Sequence, residues 1–566
     1  MDGDRIPTPP PAATGRAPAP PHRRHVAVVG AGPGGLAATL LLAAAGVRVT
    51  LFERADVVGG RTRTLTSSDG YRFDLGPTFF LYPQILAEIF RACGERLEDH
   101  VTLVRLDPQY HLVFEEAGRR KGEIRAAADV ARLEAEISAL NPADARNVRR
   151  FLADNRAKLA AFKPILERPF GSLRDLMVRE LFAATPHLRP HASVDADLRR
   201  YFADPRVRLA FSFQSKYLGM SPFRCPSLFT ILSFLEHEHG VFHPVGGCGA
   251  VSEAMARLAR RMGVDIRLST PVDRIVYEGD RARTVEAGGT RMDVDAVVIN
   301  GDFGRVVPDL VPERLRRRWP DRKVEGARLS CSTFMLYLGI EGAMDDRLAH
   351  HTILLSEDYA GTLREIEEGR LPTAPCVYVQ NPCATDPGMA PPGHTSLYIL
   401  APVPNRRGGI DWTREAPAFR RLVLERLRLL GLGDLEPRIR YERVVTPDDW
   451  QDGFDVYQGA TFNLAHDLRQ MLYFRPHNRF VPGSVYLVGG GTHPGSGLPV
   501  IYEGARITAR LLLADLGIDP VRAGLTAPAF EARRPGAERV AADGTGTSRT
   551  AGRPTGRPTG RTEAGR

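Results

Sequence analysis

One stretch near the N-terminus, residues 25–64, restricts what this chain can fold into. It begins with an apolar run that favours a β-strand, His25–Val29, and continues through a G-x-G-x-x-G motif into an Ala/Leu-rich segment, residues 36–45, that predicts a helix. Residues 47–52 predict a second strand, and an acidic residue, Glu53, follows it directly. A strand, glycines, a helix, a strand and an acid in this order predict a Rossmann-type dinucleotide site.

Each glycine of the motif has a physical role in binding a pyrophosphate. Gly30 makes the tight turn out of the strand, Gly32 lets the pyrophosphate approach the backbone, and Gly35 lets helix and strand pack closely. The helix N-terminus adds unpaired N–H groups and a partial positive charge. Glu53, 23 residues after Gly30, is placed to accept hydrogen bonds from an adenosine ribose, and its charge disfavours the 2′-phosphate of NADP.

A membrane span or signal segment is the alternative interpretation of this stretch. Residues 26–47 carry no charge, Arg23 and Arg24 precede them, and their length alone permits a span. However, the first ten of these residues include four glycines and a proline, and a strand pattern lies on either side. These features favour the nucleotide site.

Length and composition allow an ordinary globular protein with a large core. The chain has 566 residues, enough for two or three domains, and 43% of them are hydrophobic. A net charge of +9 permits nucleic acid or an anionic membrane surface as a partner. Because no zinc-finger, RNA-binding-sheet or basic-zipper motif is present, we expect no nucleic-acid binding. The six cysteines form no C-x-x-C pair and suggest no disulfide framework.

Neither the two ends of the chain nor a pair of adjacent histidines predicts a further binding site. Residues 1–24 are rich in Pro, Ala and Arg, and residues 526–566 contain the repeat RPTGRPTGR, so both ends are expected to be disordered basic tails. His350 and His351 invite a metal interpretation. Adjacent residues of a strand point to opposite faces, and no carboxylate–histidine motif supports such a site, so no metal site is predicted.

After the acid comes a second glycine motif, Gly59-Gly60-Arg61, followed by Thr-Arg-Thr. It resembles the flavin-dependent amine oxidase and carotenoid desaturase superfamily, in which GGR follows the dinucleotide motif. By that resemblance the cofactor is FAD rather than NAD, and Arg61 lies near its pyrophosphate. The resemblance also implies that the backbone of Val272, in a predicted strand pair at residues 266–276, meets the adenine.

Other segments resemble the carotenoid desaturase branch. Residues 69–78, DGYRFDLGPT, have the form G-x-x-x-D-x-G-P-T, and in the superfamily this segment passes beside the flavin ring. The run that follows, Phe79–Tyr82, is a candidate lining of an apolar tunnel, with a plain core strand as the alternative for each side chain. Residues 103–110, LVRLDPQY, match the pattern that precedes the substrate domain.

Near the other end, residues 485–517 predict a strand, a glycine-rich turn and a helix from about Pro499. The pattern G-x-T-H-P-G-x-G-x-P closely resembles the bacterial-type phytoene desaturases, whereas residues 498–503 resemble the diapophytoene desaturases and their terminal-oxidising relatives as much. A helix N-terminus at this place stabilises the negative charge on the pyrimidine edge of reduced flavin.

These motifs supply the candidate site residues. The candidate catalytic residues are His493 and Glu503; the predicted helix has Glu503 in its first turn, where an acid is also a routine partner of the helix dipole. The candidate FAD-binding residues are Gly30, Gly32, Gly34, Gly35, Glu53, Arg54, Gly60, Arg61, Pro77, Thr78, Val272, Gly490, Gly491, Thr492, Leu498, Pro499 and Val500.

The resemblance runs from about residue 25 to residue 517 and implies an α/β fold. A Rossmann-like FAD-binding domain of the GR2/amine-oxidase type is expected, with an inserted substrate domain of mixed sheet plus a helical membrane-facing part. For the helical part, whose basic and apolar residues alternate at helical spacing, ordinary amphipathic packing is the alternative to docking on a bilayer. The expected division is a tail at 1–24, FAD-binding parts at 25–105, 246–305 and 456–525, a helical substrate and membrane-associating insertion at 106–245, a substrate-binding sheet at 306–455 and a tail at 526–566.

The implied function is FAD-dependent desaturation of phytoene or diapophytoene in carotenoid biosynthesis. Desaturation removes a hydride, which FAD accepts, and a proton from adjacent carbons. We expect positioning along an apolar tunnel and the electronics of the flavin to supply most of the catalysis. Since only one dinucleotide motif is present, a membrane quinone or dioxygen is the expected electron acceptor, and the enzyme is expected to be cytoplasmic and peripheral on the membrane.

Two classes of alternative remain open at this point. The first is another enzyme of the superfamily: a terminal methyl oxidase of carotenoids, a carotenoid isomerase, or an amine oxidase, to which an apolar insertion with basic helices is least suited. The second is a non-enzymatic prenyl-lipid escort protein of the same fold. The complete set of glycines and acid, together with the C-terminal flavin motif, argues against the escort protein.

Overall fold

The computed structural model describes residues 24–344, 348–521 and 524–525, so the predicted tails, apart from Arg24, lie outside the described residues. The strands are β1 His25–Val29, β2 Arg48–Phe52, β3 Thr64–Thr66, β4 Arg72–Asp74, β5 Phe80–Leu81, β6 Leu103–Arg105, β7 Tyr110–Glu116, β8 Arg119–Ala126, β9 Val241–Pro244, β10 Asp265–Arg267, β11 Val272–Glu278, β12 Arg281–Ala287, β13 Thr290–Asp293, β14 Ala296–Ile299, β15 Ser332–Glu341, β16 His351–Leu355, β17 Val377–Gln380, β18 His394–Val403, β19 Ile439–Val445, β20 Arg479–Val481 and β21 Val485–Leu487.

The α-helices are α1 Pro33–Ala44, α2 Gln84–Ala92, α3 Val130–Ser138, α4 Pro142–Ala145, α5 Val148–Leu166, α6 Arg179–Leu188, α7 Val194–Leu198, α8 Pro205–Ala210, α9 Thr230–His239, α10 Cys248–Arg261, α11 Phe303–Leu310, α12 Asp321–Glu325, α13 Tyr359–Glu367, α14 Trp412–Leu427, α15 Pro447–Asp452 and α16 Leu498–Asp515.

A six-stranded sheet in the order β10-β2-β1-β14-β21-β20 forms the first layer of the fold. Its neighbours pair in parallel except β20 and β21, and Val26 of β1 lies opposite Ala296 of β14. Apart from His25, the central strands β1 and β14 are apolar, and they are buried on both faces, as expected where helices or a second sheet cover each face. Far-apart segments of the chain thereby meet in one sheet.

The two faces of this sheet bury alternate residues of the same strands. Val26 and Val28 face a core formed with α1, α2, α10 and α16, whereas Ala27 and Val29 face a core formed with α11 and the antiparallel sheet β11-β12-β13. This alternation follows from the two-residue period of a strand. The sheet is therefore held from both sides, and the ends of its strands are fixed in position.

A seven-stranded sheet in the order β19-β15-β18-β17-β16-β7-β8 forms the second layer. Its pairs are antiparallel except β16 with β7. Leu336 and Leu338 of β15 pack with α14 on one face, whereas Met335 and Tyr337 pack with Tyr398 on the other. A small sheet, β5-β9-β6, lies in the chain between the two large ones, and helices α3–α9 come between β8 and β9.

The structure revises two predicted helix starts. Helix α1 begins at Pro33 rather than at residue 36, because proline suits the first helical position and the two glycines that follow are already helical. Helix α16 begins at Leu498 rather than at Pro499. Glu503 is the sixth residue of α16 and lies in its second turn, so its predicted place in the first turn is wrong.

Within the described ranges, no helix is both long enough and apolar enough to cross a membrane.

Candidate active site

A large cavity of about 1130 Å³ lies at the carboxyl ends of the parallel strands. Its wall includes Gly30 after β1, Glu53 after β2 and Asn300 after β14, and it extends to Tyr378 and Tyr398 of the seven-stranded sheet. In open α/β sheets, ligands bind in the crevice outside these strand ends. The cavity therefore occupies the position where a dinucleotide is expected, and it continues beyond it.

The first glycine turn is shaped by close backbone approach. Gly30 has φ +96°, a left-handed conformation that favours glycine, and a Cβ at Gly35 would lie 2.1 Å from the carbonyl oxygen of Gly30. Gly32 is the N-cap of α1 and provides no side-chain cap, so the first N–H groups of the helix are left to a ligand. Gly30 and Gly32 line the cavity.

Glu53 holds the same turn from the second strand. Its Oε2 accepts a hydrogen bond of 2.7 Å from the N–H of Ala31, and its Oε1 accepts one of 3.0 Å from the N–H of Ala55. The neighbouring Arg54 pairs with Asp455 at 2.9 Å. Both residues line the cavity, as does Val272 at the start of β11, so the expected ribose and adenine contacts lie on one wall.

The GGR segment and the C-terminal glycine turn meet the first turn. A Cβ at Gly60 would lie 3.4 Å from the Cα of Gly32, and a Cβ at Gly34 would lie 2.9 Å from a methyl group of Val488. Arg61 donates a hydrogen bond of 2.9 Å from Nη1 to the carbonyl of Thr461. These contacts bring together glycine motifs that are more than four hundred residues apart in sequence.

The C-terminal turn leads into a second uncapped helix. Gly497, with φ +110°, is the N-cap of α16 and provides no side-chain cap. The first residues of this helix, Leu498–Ile501, line the cavity, and so do Gly490 and Gly491. Two helix N-termini, of α1 and α16, thus present unpaired N–H groups and positive potential to one cavity.

Asn300 is a site residue that the sequence analysis did not identify. Its Nδ2 donates a hydrogen bond of 3.2 Å to the carbonyl of Gly30, and its Oδ1 would lie 3.3 Å from a Cβ at Gly489. It therefore bridges both glycine turns while lining the cavity. The available signal was its position directly after a buried strand, where the carboxyl ends of parallel strands meet.

Not every candidate cofactor residue reaches the cavity wall. Gly34, Gly35 and Thr492 lie behind it, where the two glycines permit close packing and Thr492 accepts a hydrogen bond from Arg475 at its carbonyl. The candidates that line the cavity are Gly30, Gly32, Glu53, Arg54, Gly60, Arg61, Pro77, Thr78, Val272, Gly490, Gly491, Leu498, Pro499 and Val500.

The structure places the two candidate catalytic residues differently. Glu503 is buried and absent from the cavity wall, and its Oε2 forms an ion pair of 2.8 Å with Arg506. His493 lines the cavity, and its Nε2 donates a hydrogen bond of 3.0 Å to the carbonyl of Arg168. Burial lowers the pKa of His493 to about 3, so its ring is neutral. Of the two candidates, only His493 therefore reaches the cavity.

The run after the GPT segment alternates between cavity and core. Phe79 and Leu81 line the cavity, Phe80 is buried in the core beside α2, and Tyr82 packs against the ring of His239. The tunnel interpretation thus fits two of the four side chains, as the two-residue strand period requires. Tyr217, which the sequence analysis missed, approaches Phe79 with ring centroids 5.1 Å apart and also lines the cavity.

The glycines, helix N-termini and apolar wall of the cavity fit FAD. Glycines whose Cβ atoms would collide with neighbouring atoms line the cavity at both turns, and two uncapped helix N-termini open into it. A pyrophosphate and the pyrimidine edge of a flavin are the anionic groups that such positions attract. The wall beyond them is apolar and aromatic, with Phe79, Phe213 and Leu400 among its residues.

Comparison with known proteins agrees with the geometry. Residues 33–513 match the family described as flavin containing amine oxidoreductase. The chain is 40% identical over 493 residues to a 4,4′-diapophytoene desaturase (4,4′-diapolycopene-forming) of Methylomonas sp, covering 86% of this chain and 95% of the relative. It is 36% identical over 500 residues to a phytoene desaturase (lycopene-forming) of Pseudescherichia vulneris, covering 87% of this chain and all of the relative.

Solved structures share the fold at lower identity. Putrescine oxidase, in its wild-type form bound to putrescine, superimposes with a TM-score of 0.57 at 18% identity, covering 88% of this chain and 99% of that one. An oxidoreductase from Methanosarcina mazei gives a TM-score of 0.58 at 18% identity, with 85% and 98% covered. The fold is thus that of the flavin amine oxidases, and the cofactor is FAD. The chain belongs to the flavin-containing amine oxidoreductase family and, within it, to the carotenoid desaturases.

Proposed function

We propose that this protein is an FAD-dependent desaturase that introduces conjugated double bonds into a linear isoprenoid such as phytoene or diapophytoene. The observation that carries this proposal is that one cavity is lined both by the two glycine turns and by a wall of apolar and aromatic side chains. A rod-like hydrocarbon needs such a wall, because its burial is driven by apolar area rather than by hydrogen bonds.

Different residues of the cavity wall would hold the pyrophosphate, the adenosine and the flavin ring of FAD. Gly30, Gly32 and the N-terminus of α1 would hold the pyrophosphate, with Arg61 close to it, and Glu53 and Val272 would hold the adenosine. Pro77, Thr78 and residues 490–500 would surround the flavin ring. When bound, FAD supplies the hydride-accepting chemistry.

The chain contributes orientation and exclusion of water. Aromatic rings of Phe79, Tyr217 and Tyr378 form one wall, and aliphatic side chains of α9 form another, so a polyene would be held in an extended line. The positive end of α16 would favour the negative charge that develops on the pyrimidine edge. Neither Glu503 nor His493 is assigned a proton-transfer step.

We further propose that the helical insertion docks on a bilayer. Met177 is 71% exposed and Phe182 is 57% exposed, and they belong to a surface that we name the apolar patch, which comprises Leu173, Met177, Phe182, Leu468 and Phe474. Exposed Arg174 and Arg179 lie beside it in sequence. Large apolar side chains rimmed by arginine are typical of interfacial binding to anionic lipid.

The patch adjoins residues that reach the cavity. A core cluster contains Phe162, Ile165 and Met471 together with Leu176 and Leu472, which neighbour the patch in sequence, and Phe162 and Met471 also line the cavity. A lipid-dissolved substrate would then enter from the membrane without crossing water. We also propose the domain division given above, except that β7 and β8 belong to the seven-stranded sheet rather than to the helical insertion, and we propose a membrane quinone or dioxygen as electron acceptor.

Co-expression with a phytoene synthase or with a diapophytoene synthase tests the proposed reaction. The expected result is a coloured polyene whose absorption spectrum gives the number of conjugated bonds, and product analysis would separate desaturation from terminal oxidation or isomerisation. A yellow flavoprotein that leaves both precursors unchanged would refute the proposal.

A further inference from the structure

Three histidines pack together in a buried cluster outside the cofactor site. His243 belongs to β9, His351 begins β16, and His350 precedes it. The ring centroids of His243 and His350 are 4.7 Å apart, and those of His350 and His351 are 4.5 Å apart. The cluster thus joins the small sheet to the seven-stranded sheet, and all three rings are buried.

One end of the cluster reaches the cavity. Nδ1 of His351 lies 2.8 Å from the hydroxyl of Tyr378, which in turn lies 2.7 Å from the hydroxyl of Thr78. Tyr378 and Thr78 both line the cavity. Phe79 stacks on the His351 ring with centroids 4.0 Å apart and fixes its plane.

The other end reaches a carboxylate near the surface. Nε2 of His243 lies 3.3 Å from Oδ2 of Asp386, which also accepts a hydrogen bond of 2.7 Å from the N–H of Gly246. Asp386 keeps 8% of its surface exposed, whereas His243 and His351 have none. Polar contacts thus link His351 to the cavity at one end of the cluster and His243 to Asp386 at the other.

Between these ends, two ring nitrogens remain without a partner among the described residues. They are Nε2 of His351 and Nδ1 of His243, and nearby Oδ2 of Asp74 and Oε1 of Gln380 are also unpartnered. Buried polar atoms of this kind are ordinarily satisfied by an internal water. His351 and His243 thus each have one ring nitrogen in a polar contact and one available to exchange a proton with an internal water.

The cluster does not have the features of a metal site. No group of at least three His, Cys, Asp or Glu side chains able to hold a metal ion occurs in the described part of the chain. Burial lowers the pKa of His350, His351 and His243, with the neighbouring rings lowering the pKa of His350 and His351 further and Asp386 raising that of His243. The rings are therefore neutral, with one donor and one acceptor nitrogen each.

We propose that Tyr378, His351 and His243 form a path that carries the proton released by desaturation from the cavity to Asp386. The path rests on the desaturase function proposed above. One carbon of the substrate loses a hydride to FAD. The C–H bond of the adjacent carbon breaks, its electron pair forms the new double bond, and its proton enters at the Tyr378 hydroxyl.

The protons taken up and released balance at each residue of this path. Tyr378 takes up the proton on oxygen and passes its own proton to Nδ1 of His351, which releases one from Nε2. Nδ1 of His243 takes up a proton through a bridging water, and Nε2 of His243 delivers one to Asp386 and then to solvent. Each residue ends with the protons it began with once the rings return to their starting tautomers. His350, whose two nitrogens contact Thr385 and Gln380, positions the other rings.

Chemical rescue in the FAD-loaded enzyme tests this path. His351→Ala should bind FAD but slow anaerobic flavin reduction by phytoene or diapophytoene in vesicles by at least roughly tenfold. Free imidazole should restore the rate, because it can occupy the space of the lost ring. The matched control is His111→Ala, which removes a buried histidine of the neighbouring strand that pairs with Glu123 and does not line the cavity.

The outcomes distinguish failure of the proton path from failure of the proposed desaturase reaction. If the wild-type enzyme is not reduced by either polyene, the desaturase function fails and the path fails with it. If the wild type reacts and His351→Ala reacts equally fast, or imidazole rescues neither variant or both alike, only the path is refuted.

A readout independent of turnover is the histidine ring tautomer. Nitrogen-15 NMR of the labelled holoenzyme should show His351 neutral with its proton on Nε2, and Tyr378→Phe should shift its Nδ1 resonance. A proton on Nδ1 of His351 would contradict the stated direction of transfer.

Discussion

Nη2 of Arg475 donates a hydrogen bond of 2.6 Å to the carbonyl oxygen of Gly490, from a side chain with no exposed surface. The guanidinium group also donates to the carbonyl of Thr492 in the same turn and to the carbonyls of Leu464, Ala465 and Gln470 in the segment before it. Burial lowers the pKa of Arg475 to about 9, which leaves it charged at neutral pH. One buried cation thus holds the C-terminal glycine turn in the shape that faces the cofactor.

Arg475→Ala should lower the free energy of unfolding by about 3 kcal/mol, because it leaves several buried carbonyls unpaired. It should also lower the ratio of FAD to purified protein. Urea unfolding and flavin absorbance measure the two effects. Arg291, whose side chain is 69% exposed, provides the control variant Arg291→Ala, for which we expect less than about 0.5 kcal/mol. Equal effects of the two variants would contradict the assigned role.

Gly35→Ala should prevent FAD binding, because the added Cβ would lie 2.1 Å from the carbonyl of Gly30 and must push helix α1 from β1. Gly171 offers a matched control, since nothing lies within 4 Å of a Cβ there and its φ is ordinary. Gly171→Ala should keep a full complement of flavin. A yellow Gly35→Ala protein with unchanged stability would show that the turn tolerates the side chain.

The first glycine turn illustrates what sequence can predict. Its strand, glycines, helix and acid are consecutive, so their local spacing determines their arrangement, and β1 and α1 occur within three residues of the expected bounds. The two sheets and the family were also predictable, because the motifs at either end are specific. That each lining residue binds FAD stays a prediction.

Other features depend on contacts that no local pattern contains. Asn300 reaches Gly30 across 270 residues, and His350 meets His243 only because two sheets pack together. Glu503 was misplaced because a short sequence does not indicate which side of α16 faces the cavity. The side of a helix that faces a cavity is determined by how the helix packs in the fold.

Replacing two residues of the apolar patch, Met177→Glu with Phe182→Glu, should weaken binding to anionic vesicles and slow turnover of vesicle-borne substrate. Turnover in detergent should be unchanged, because neither residue lines the cavity. Val521, 58% exposed, provides the control Val521→Glu. Vesicle sedimentation measures the binding, and equal sedimentation of all three proteins would contradict the docking surface.

Asp74 predicts a specific dependence of stability on pH. Burial raises its pKa from 3.8 to about 7, so the folded state holds the proton more tightly than the unfolded chain. The stabilisation is fully present below about pH 4 and is lost as pH rises through about 7. Asp74→Asn should remove this pH-dependent stabilisation, while Oδ1 keeps its hydrogen bond from the N–H of Cys248.

Urea unfolding at a series of pH values measures the difference between wild type and Asp74→Asn. The wild-type free energy of unfolding, relative to the variant, should fall between about pH 4 and about pH 7 and then level off. The exposed Asp265 provides the control Asp265→Asn. A difference that rises over this range would reverse the predicted sign.

The most direct test of the whole account is an anaerobic single turnover of the purified yellow protein with phytoene or diapophytoene in vesicles. We predict that flavin absorbance is lost while the absorbance of a longer conjugated polyene appears, with one new double bond for each flavin reduced. Flavin that stays oxidised with either polyene, or a purified protein without flavin, would contradict the claim that two glycine turns enclose FAD beside an apolar substrate cavity.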